Sequence, residues 1–402
     1  MKTSTKVILA VILTFAITFA GTVAIFTGSQ LSGFGFNYNS SYYDGDGIDA
    51  KLAEITALID NHAIKDFDRD MALKNAVYFY VLSLDDMYCS YFDQSDYVTY
   101  LDQTSGGFTG IGINVAATAE ILEDGLLIYR VLGNSPAEKA GILGGDVIIE
   151  ADGFSFIDAL YDDAVDVLLG EEGTSVSIKV RRGEDIFDFT VVRQSFTQRL
   201  VDYYIIDSVG FVRIHEFDEA AYPQFADALA DLLTSGVKGF IFDVRNNPGG
   251  ELNTVKNMID LLVPKDELVV LQYKNNEQVY NSTDSVLTDL PCVVLQNSSS
   301  ASGSELFASA LRDIRGVQII GTQSYGKGVG QTSFQLSDGS AVKLTTFYYV
   351  TKSRYNYDGI GLEPDYVVEP TEEQNLHFYT VKDEDDPQLQ KALQVLMEQI
   401  SQ

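Results

Sequence analysis

Apolar residues recur at helical spacing across residues 48–102, for example at Ile48, Leu52, Ile55 and Leu58, and predict a small helical arm. The pattern changes at about residue 105. A glycine-rich run leads into short strand-like pieces at 112–115, 125–131, 146–151, 176–181 and 187–192. Turn signals Asp124-Gly125, Asp152-Gly153 and Arg182-Gly183 punctuate them, and two short helices are expected near 135–139 and 157–169. From about residue 207, strand and helix alternate. Strands are expected at 209–214, 239–244, 269–273, 292–296 and 317–321, and helices at 223–233, 252–262 and 302–311. Such alternation implies α/β units around a largely buried parallel sheet. Residues 341–348 add a further strand.

Ahead of all this, residues 7–26 (VILAVILTFAITFAGTVAIF) carry no charge and follow Lys2 and Lys6. Twenty such residues are long enough to cross a hydrocarbon core of about 30 Å. The basic flank stays in the cytoplasm, so the remainder is exported. An uncleaved anchor is the favoured reading, which makes a single-pass membrane protein with its working part outside the cytoplasm. The alternative is a cleaved signal peptide and a secreted protein. Its apolar region would ordinarily be shorter, and Thr22-Val23-Ala24 is a weak cleavage sequence. Residues 28–46, rich in Gly, Ser, Asn and Tyr, read as a linker.

Composition narrows the partners. The 402 residues are 46% hydrophobic and allow two or three domains with real cores. A formal charge of −31 argues against nucleic acid and against anionic lipid headgroups as main partners, and is read most simply as a solvated surface. Cys89 and Cys292 allow one disulfide in an exported chain, while Cys292 equally suits a buried strand position. No Cys/His cluster has metal-ligand spacing, so neither a zinc site nor any other cofactor is implied.

The chemistry concentrates in two runs, SSSASGSE (298–305) and SYGKGVGQ (324–331). A serine hydroxyl needs an adjacent base to act as a nucleophile. The three histidines, His62, His215 and His377, lie near no G-x-S-x-G elbow. A lysine can serve instead if burial makes it neutral. Ser302 and Lys327 are the pair best suited to this, with Gln331 four residues after the lysine. In the active form Lys327 is expected to be buried, with no carboxylate in contact. Ser302-Gly303-Ser304-Glu305 also reads as a capping box, which needs no catalysis.

Residues 243–250 (DVRNNPGG) end an apolar strand and open a helix. Gly249 and Gly250 there could offer N–H groups to an oxyanion, as could Gly303. Gly110, Ile111, Gly112 and Ile113 form a glycine loop before a strand, suited to a peptide's terminal carboxylate.

Taken together these segments resemble the carboxyl-terminal processing (tail-specific) proteases, a Ser-Lys peptidase family with a PDZ domain. The resemblance runs from about Asp86 to Val395. Residues 86–91 (DMYCSY) look like the segment leading into the PDZ domain, and 105–195 like that domain. Residues 243–250 match the family's D-x-R-x-N-x-G-G element, and 300–305 its S-A-S-A-S-E run, with Ser302 at the nucleophile. Asp338-Gly339-Ser340 and residues 361–365 (GLEPD) resemble further elements. Gly303 stands where the family has alanine, and 142–146 (ILGGD) lacks the basic residue and proline often found in that PDZ turn.

The resemblance implies a crotonase/ClpP-like α/β protease core with an inserted PDZ domain, a helical N-terminal arm and an N-terminal transmembrane anchor. The boundaries expected are 1–27 anchor, 28–47 linker, 48–104 helical region, 105–195 PDZ domain, 196–370 protease core and 371–402 C-terminal helical segment. It implies a serine endopeptidase that cuts exported proteins near their free C-termini, with Gln331 orienting Lys327. A homo-oligomer stays open, and the alternative is a non-catalytic PDZ adaptor that binds protein tails.

Overall fold

The structure is a computed structural model that describes residues 47–104, 108–116, 121–283 and 285–401. The expected anchor at 7–26 and almost all of the linker lie outside these residues. Among the described residues no helix is long and apolar enough to cross a membrane. The chain divides into two compact units, residues 1–73 and 74–402. In the first, the described chain is the helix Gly47–His62 and the start of Arg69–Leu82, with an ion pair between Arg69 and Asp60.

Among the described residues the second unit is built on three larger sheets, with two two-stranded ones besides. The central one orders its strands Val201–Ile206, Val209–Ile214, Gly239–Asp243, Cys292–Gln296, Gln318–Gly321 and Tyr366–Val367. The first two form an antiparallel hairpin and all later pairs are parallel. Gly239–Asp243 and Cys292–Gln296 are buried at every residue, as continuous apolar runs require when both faces are covered. Helices Ala221–Thr234, Leu252–Asp260 and Gly303–Arg315 pack Phe225, Leu229, Val255, Met258 and Phe307 against one face. The C-terminal helix Pro387–Ile400 covers the other with Leu389, Ala392, Val395 and Leu396.

One expected strand goes elsewhere. Glu267–Tyr273 leaves the parallel sheet and joins an antiparallel one with Ala341–Val350, Glu277–Asn281, Val329–Gln335 and Ser90–Phe92. A buried apolar run looks the same in either setting, so periodicity could not place it. The strand Val329–Gln335, which carries Gln331, was not expected, because its polar and glycine residues give little apolar alternation.

The third sheet orders Asp185–Val192, Ser175–Arg182, Val147–Ala151, Leu126–Val131 and Ile113–Ala116, all antiparallel. Its core includes Leu126, Ile128, Ile148, Phe156 and Ile178. Ile113–Ala116 is the terminal strand, and among the described residues its outer edge has no partner strand.

Candidate active site

Two neighbouring parallel strands, Gly239–Asp243 and Cys292–Gln296, end side by side, and the loops after them form the site. Ligands gather at that end of an open α/β sheet. The loops are stitched together. Ser300 Oγ donates to Val244 O at 2.8 Å, Ala301 N to Asn247 O at 3.1 Å, and Ser304 Oγ to Asn247 O at 2.9 Å. Below them, burial alone would raise the Asp243 carboxyl. Arg245 and Arg213 outweigh it and hold the group well below the usual carboxylate range. Asp243 and Arg245 thus brace the site.

Ser302 precedes the helix Gly303–Arg315 with φ 56° and ψ −115°. For a non-glycine residue this backbone is strained by about 1–3 kcal/mol. Such a strand-to-helix turn projects a nucleophile while keeping a helix N-terminus behind it. The turn is held by Glu305, whose carboxylate accepts from Ser302 N at 2.8 Å. The same carboxylate accepts from Lys327 N at 2.8 Å, Gly326 N at 2.7 Å and Ser324 Oγ at 2.5 Å. Burial pushes Glu305 up, against hydrogen bonds that favour its anion. Read from sequence, Glu305 completes a capping box. In the fold it also binds the serine turn to the lysine loop.

Lys327 is half-buried, and Nζ lies 4.6 Å from the centroid of the Tyr88 ring. Burial lowers its pKa first and the Lys343 cation adds to this, while Asp86 and Glu305 oppose. Among the described residues no carboxylate pairs with Nζ, and no hydrogen bond joins it to Ser302. Ser302 Oγ instead meets the Tyr349 hydroxyl at 2.6 Å, and that phenol also reaches Lys327 O at 2.8 Å. Gln331 Nε2 donates to Thr345 Oγ1 at 3.2 Å rather than to the lysine. Thr345 N in turn lies 3.4 Å from Cys89 Sγ. Segment 86–89 therefore walls the site, a role its sequence did not reveal.

The glycines separate cleanly. Gly249 N already donates to Asn247 Oδ1 at 2.8 Å, which corrects its candidacy as an oxyanion donor. Among the described residues the N–H groups of Gly250 and Gly303 have no acceptor. A Cβ built on Gly303 would lie 3.4 Å from Gly250 N, so the two amides are neighbours.

Comparison with known proteins identifies the family. The pattern of peptidase family S41 matches residues 208–368, and that of a PDZ domain matches 127–182. A carboxy-terminal-processing protease of Bartonella bacilliformis is 35% identical over 312 residues, covering 75% of this chain and 70% of the relative. The chain belongs to the carboxy-terminal-processing proteases of peptidase family S41. It is a serine-type peptidase with a PDZ domain. A CtpA-like serine protease of Staphylococcus aureus strain N315 is 30% identical over 331 residues, covering 81% of this chain and 66% of the relative. The chain thus spans about two thirds of the length of these relatives. A photosystem II D1 C-terminal processing protease structure aligns with TM-score 0.54 and 26% identity, over 83% of this chain and 91% of that one. These likenesses favour the peptidase over the tail-binding adaptor.

In the protease's PDZ domain, Gly112 has φ +79°, and a Cβ there would lie 2.2 Å from Ser135 Cβ, so only glycine fits. The N–H groups of Ile111 and Gly112 have no acceptor among the described residues. A cavity of about 250 Å³ beside them is lined by Ile111, Ile113, Val115, Leu132, Val165 and Leu168. Cys89 and Cys292 are both free, so the disulfide option is corrected. Cys292 is instead a buried strand residue whose thiol burial pushes up to about 11.

Proposed function

We propose that this peptidase cuts exported proteins near their C-termini with Ser302 as nucleophile and Lys327 as general base. The observation that carries the reading is the strained Ser302 turn, bound through one carboxylate to the lysine loop and close to the open amides of Gly250 and Gly303. Ser302 Oγ bonds to the scissile carbonyl carbon and gives its proton to neutral Lys327 Nζ. The carbonyl oxygen, now negative, is met by the N–H groups of Gly303 and Gly250. The C–N bond then breaks, and the lysine proton goes to the leaving amine. Water enters with the lysine again as base, and the ester is hydrolysed.

Geometry adds a condition. Lys327 Nζ rests on Tyr88 and Gln331 on Thr345, so both side chains must turn toward Ser302 before attack. Gln331 would then orient the amine. The PDZ domain supplies the substrate: the loop 110–113 takes the terminal carboxylate, and the tail adds a strand to the Ile113–Ala116 edge. The apolar cavity favours an apolar terminal side chain. We assign the core to the crotonase/ClpP-like class, and residues 7–26 to an anchor that keeps it outside the cytoplasm, with secretion after cleavage as the alternative.

A tagged peptide with a free C-terminus tests the chemistry. Wild type should cut it, and Ser302→Ala and Lys327→Ala should not. Normal cutting by both variants would end the proposal. Amidating the terminus should slow cleavage, and an unchanged rate would remove the PDZ domain from substrate capture.

A further inference from the structure

A second cavity, of about 230 Å³, opens between the PDZ domain, the protease core and the C-terminal segment. The PDZ domain contributes Arg130, the core contributes Arg199, Arg213 and His215, and the C-terminal segment contributes Tyr379. Glu138 and Asp202 line the same cavity, so three guanidiniums meet two carboxylates there, in a chain of net charge −31.

Several of their donors are unspent. Arg199 uses Nε on Asp202 at 2.7 Å and Nη2 on Glu138 at 2.8 Å. Arg213 uses Nε and Nη2 on Asp243, at 3.0 and 2.8 Å. Their Nη1 groups have no acceptor among the described residues. Arg130 is only 9% exposed, yet no carboxylate among the described residues pairs with it. Its guanidinium lies 5.3 Å from the centroid of the Tyr379 ring, a neutral neighbour. Asp202 and Glu216 act on it only from beyond ion-pair distance. A guanidinium has five N–H donors, and burying one without an anion is costly.

The neighbouring imidazole reports the local field. His215 Nε2 lies 2.6 Å from Asp202 Oδ2. Its pKa is nevertheless pushed down to about 4, by burial first and then by the Arg130 and Arg213 cations.

We propose that this cavity is a binding site for a small oxyanion, a carboxylate or a phosphate, held by Arg130, Arg199 and Arg213. The anion would complete the coordination of Arg130 and tie the PDZ domain to the protease core. The site is separate from Ser302 and stands whether or not the catalytic assignments do.

Thermal melting of the full chain at constant ionic strength tests it, with sodium phosphate and sodium glutarate as parallel arms against sodium chloride. Wild type should show a saturable rise in melting temperature with at least one of the two. Saturation with glutarate alone marks a peptide carboxylate as the source, and saturation with phosphate alone marks a free inorganic anion. Arg199→Gln, at the half-exposed mouth, should weaken the apparent affinity about tenfold, the scale of one charge-assisted contact. Arg130→Gln should abolish saturation. If Arg130→Gln does not fold, the Arg199→Gln result decides. No saturable rise in wild type, or an unchanged affinity in Arg199→Gln, overturns the proposal.

Discussion

The Tyr349 phenol oxygen lies 2.6 Å from Ser302 Oγ and 2.8 Å from the Lys327 carbonyl oxygen. A phenol has one proton, and a carbonyl can only accept. When both contacts are made, the Tyr349 proton goes to Lys327 O and the Ser302 hydroxyl donates to Tyr349. Burial raises the phenol's pKa far enough to keep it protonated. The resting serine proton therefore points at tyrosine and away from the lysine amine. Tyr349→Phe should release it and speed active-site labelling by a fluorophosphonate, without substrate, by about two- to tenfold, the worth of one net hydrogen bond. Slower labelling would mean that the phenol assists attack instead.

The charge state of Lys327 sets the pH dependence. Its neutral amine is the active form, and burial followed by the Lys343 cation lowers its pKa from the ordinary 10.5. The kcat/KM should therefore rise with pH, with a midpoint below that value. Lys343→Gln removes a repelling cation and should move the midpoint up. Asp86→Asn removes an anion that favours the charged amine and should move it down. pH–rate profiles of the two variants read this directly, and shifts in the same direction would refute the assignment.

Glu305 should be intolerant of its own amide. Four donors converge on its carboxylate, from Ser302, Ser324, Gly326 and Lys327. An amide in its place would turn an NH₂ toward at least one of those donors. Glu305→Gln should cost about 1–3 kcal/mol in denaturant unfolding, and peptide cleavage should fall as the serine and lysine loops separate. Wild-type stability and activity together would show that the carboxylate is dispensable.

His215 should contribute a pH-dependent part of stability. Its folded pKa is near 4 against 6.5 for an unperturbed histidine. Between those values the unfolded chain binds a proton that the folded chain refuses, so stability falls as pH drops through this window. The contribution is whole above pH 6.5 and gone near pH 4. The stability gap between wild type and His215→Asn should narrow by up to about 3 kcal/mol on acidification. A gap that stays constant in unfolding titrations would contradict this.

Much of this is legible in the chain itself. The Cys292–Gln296 strand and the strand-to-helix step at Ser302 follow from an apolar run meeting a small-residue turn. The PDZ strands are marked by their turn dipeptides. What sequence could not give was every relationship made across the fold. Tyr349 sits in a strand whose alternation says nothing of a hydroxyl 47 residues from its partner. Glu305 looks local because its nearest partner is local. Tyr88 and Cys89 belong to a segment whose only sequence signal is likeness to relatives. Glu267–Tyr273 reads as a strand but belongs to a different sheet from the one its neighbours suggest, because apolar runs carry no address.

The twisted backbone at Ser302 has a consequence for durability. Alanine at 302 would remove the hydroxyl but inherit the contortion, because the obstacle is a Cβ at φ 56°. Glycine alone would relax it. A chain carrying glycine there should be inert and yet survive heating better than the working protease, so the enzyme keeps its reactivity at some expense to its own longevity.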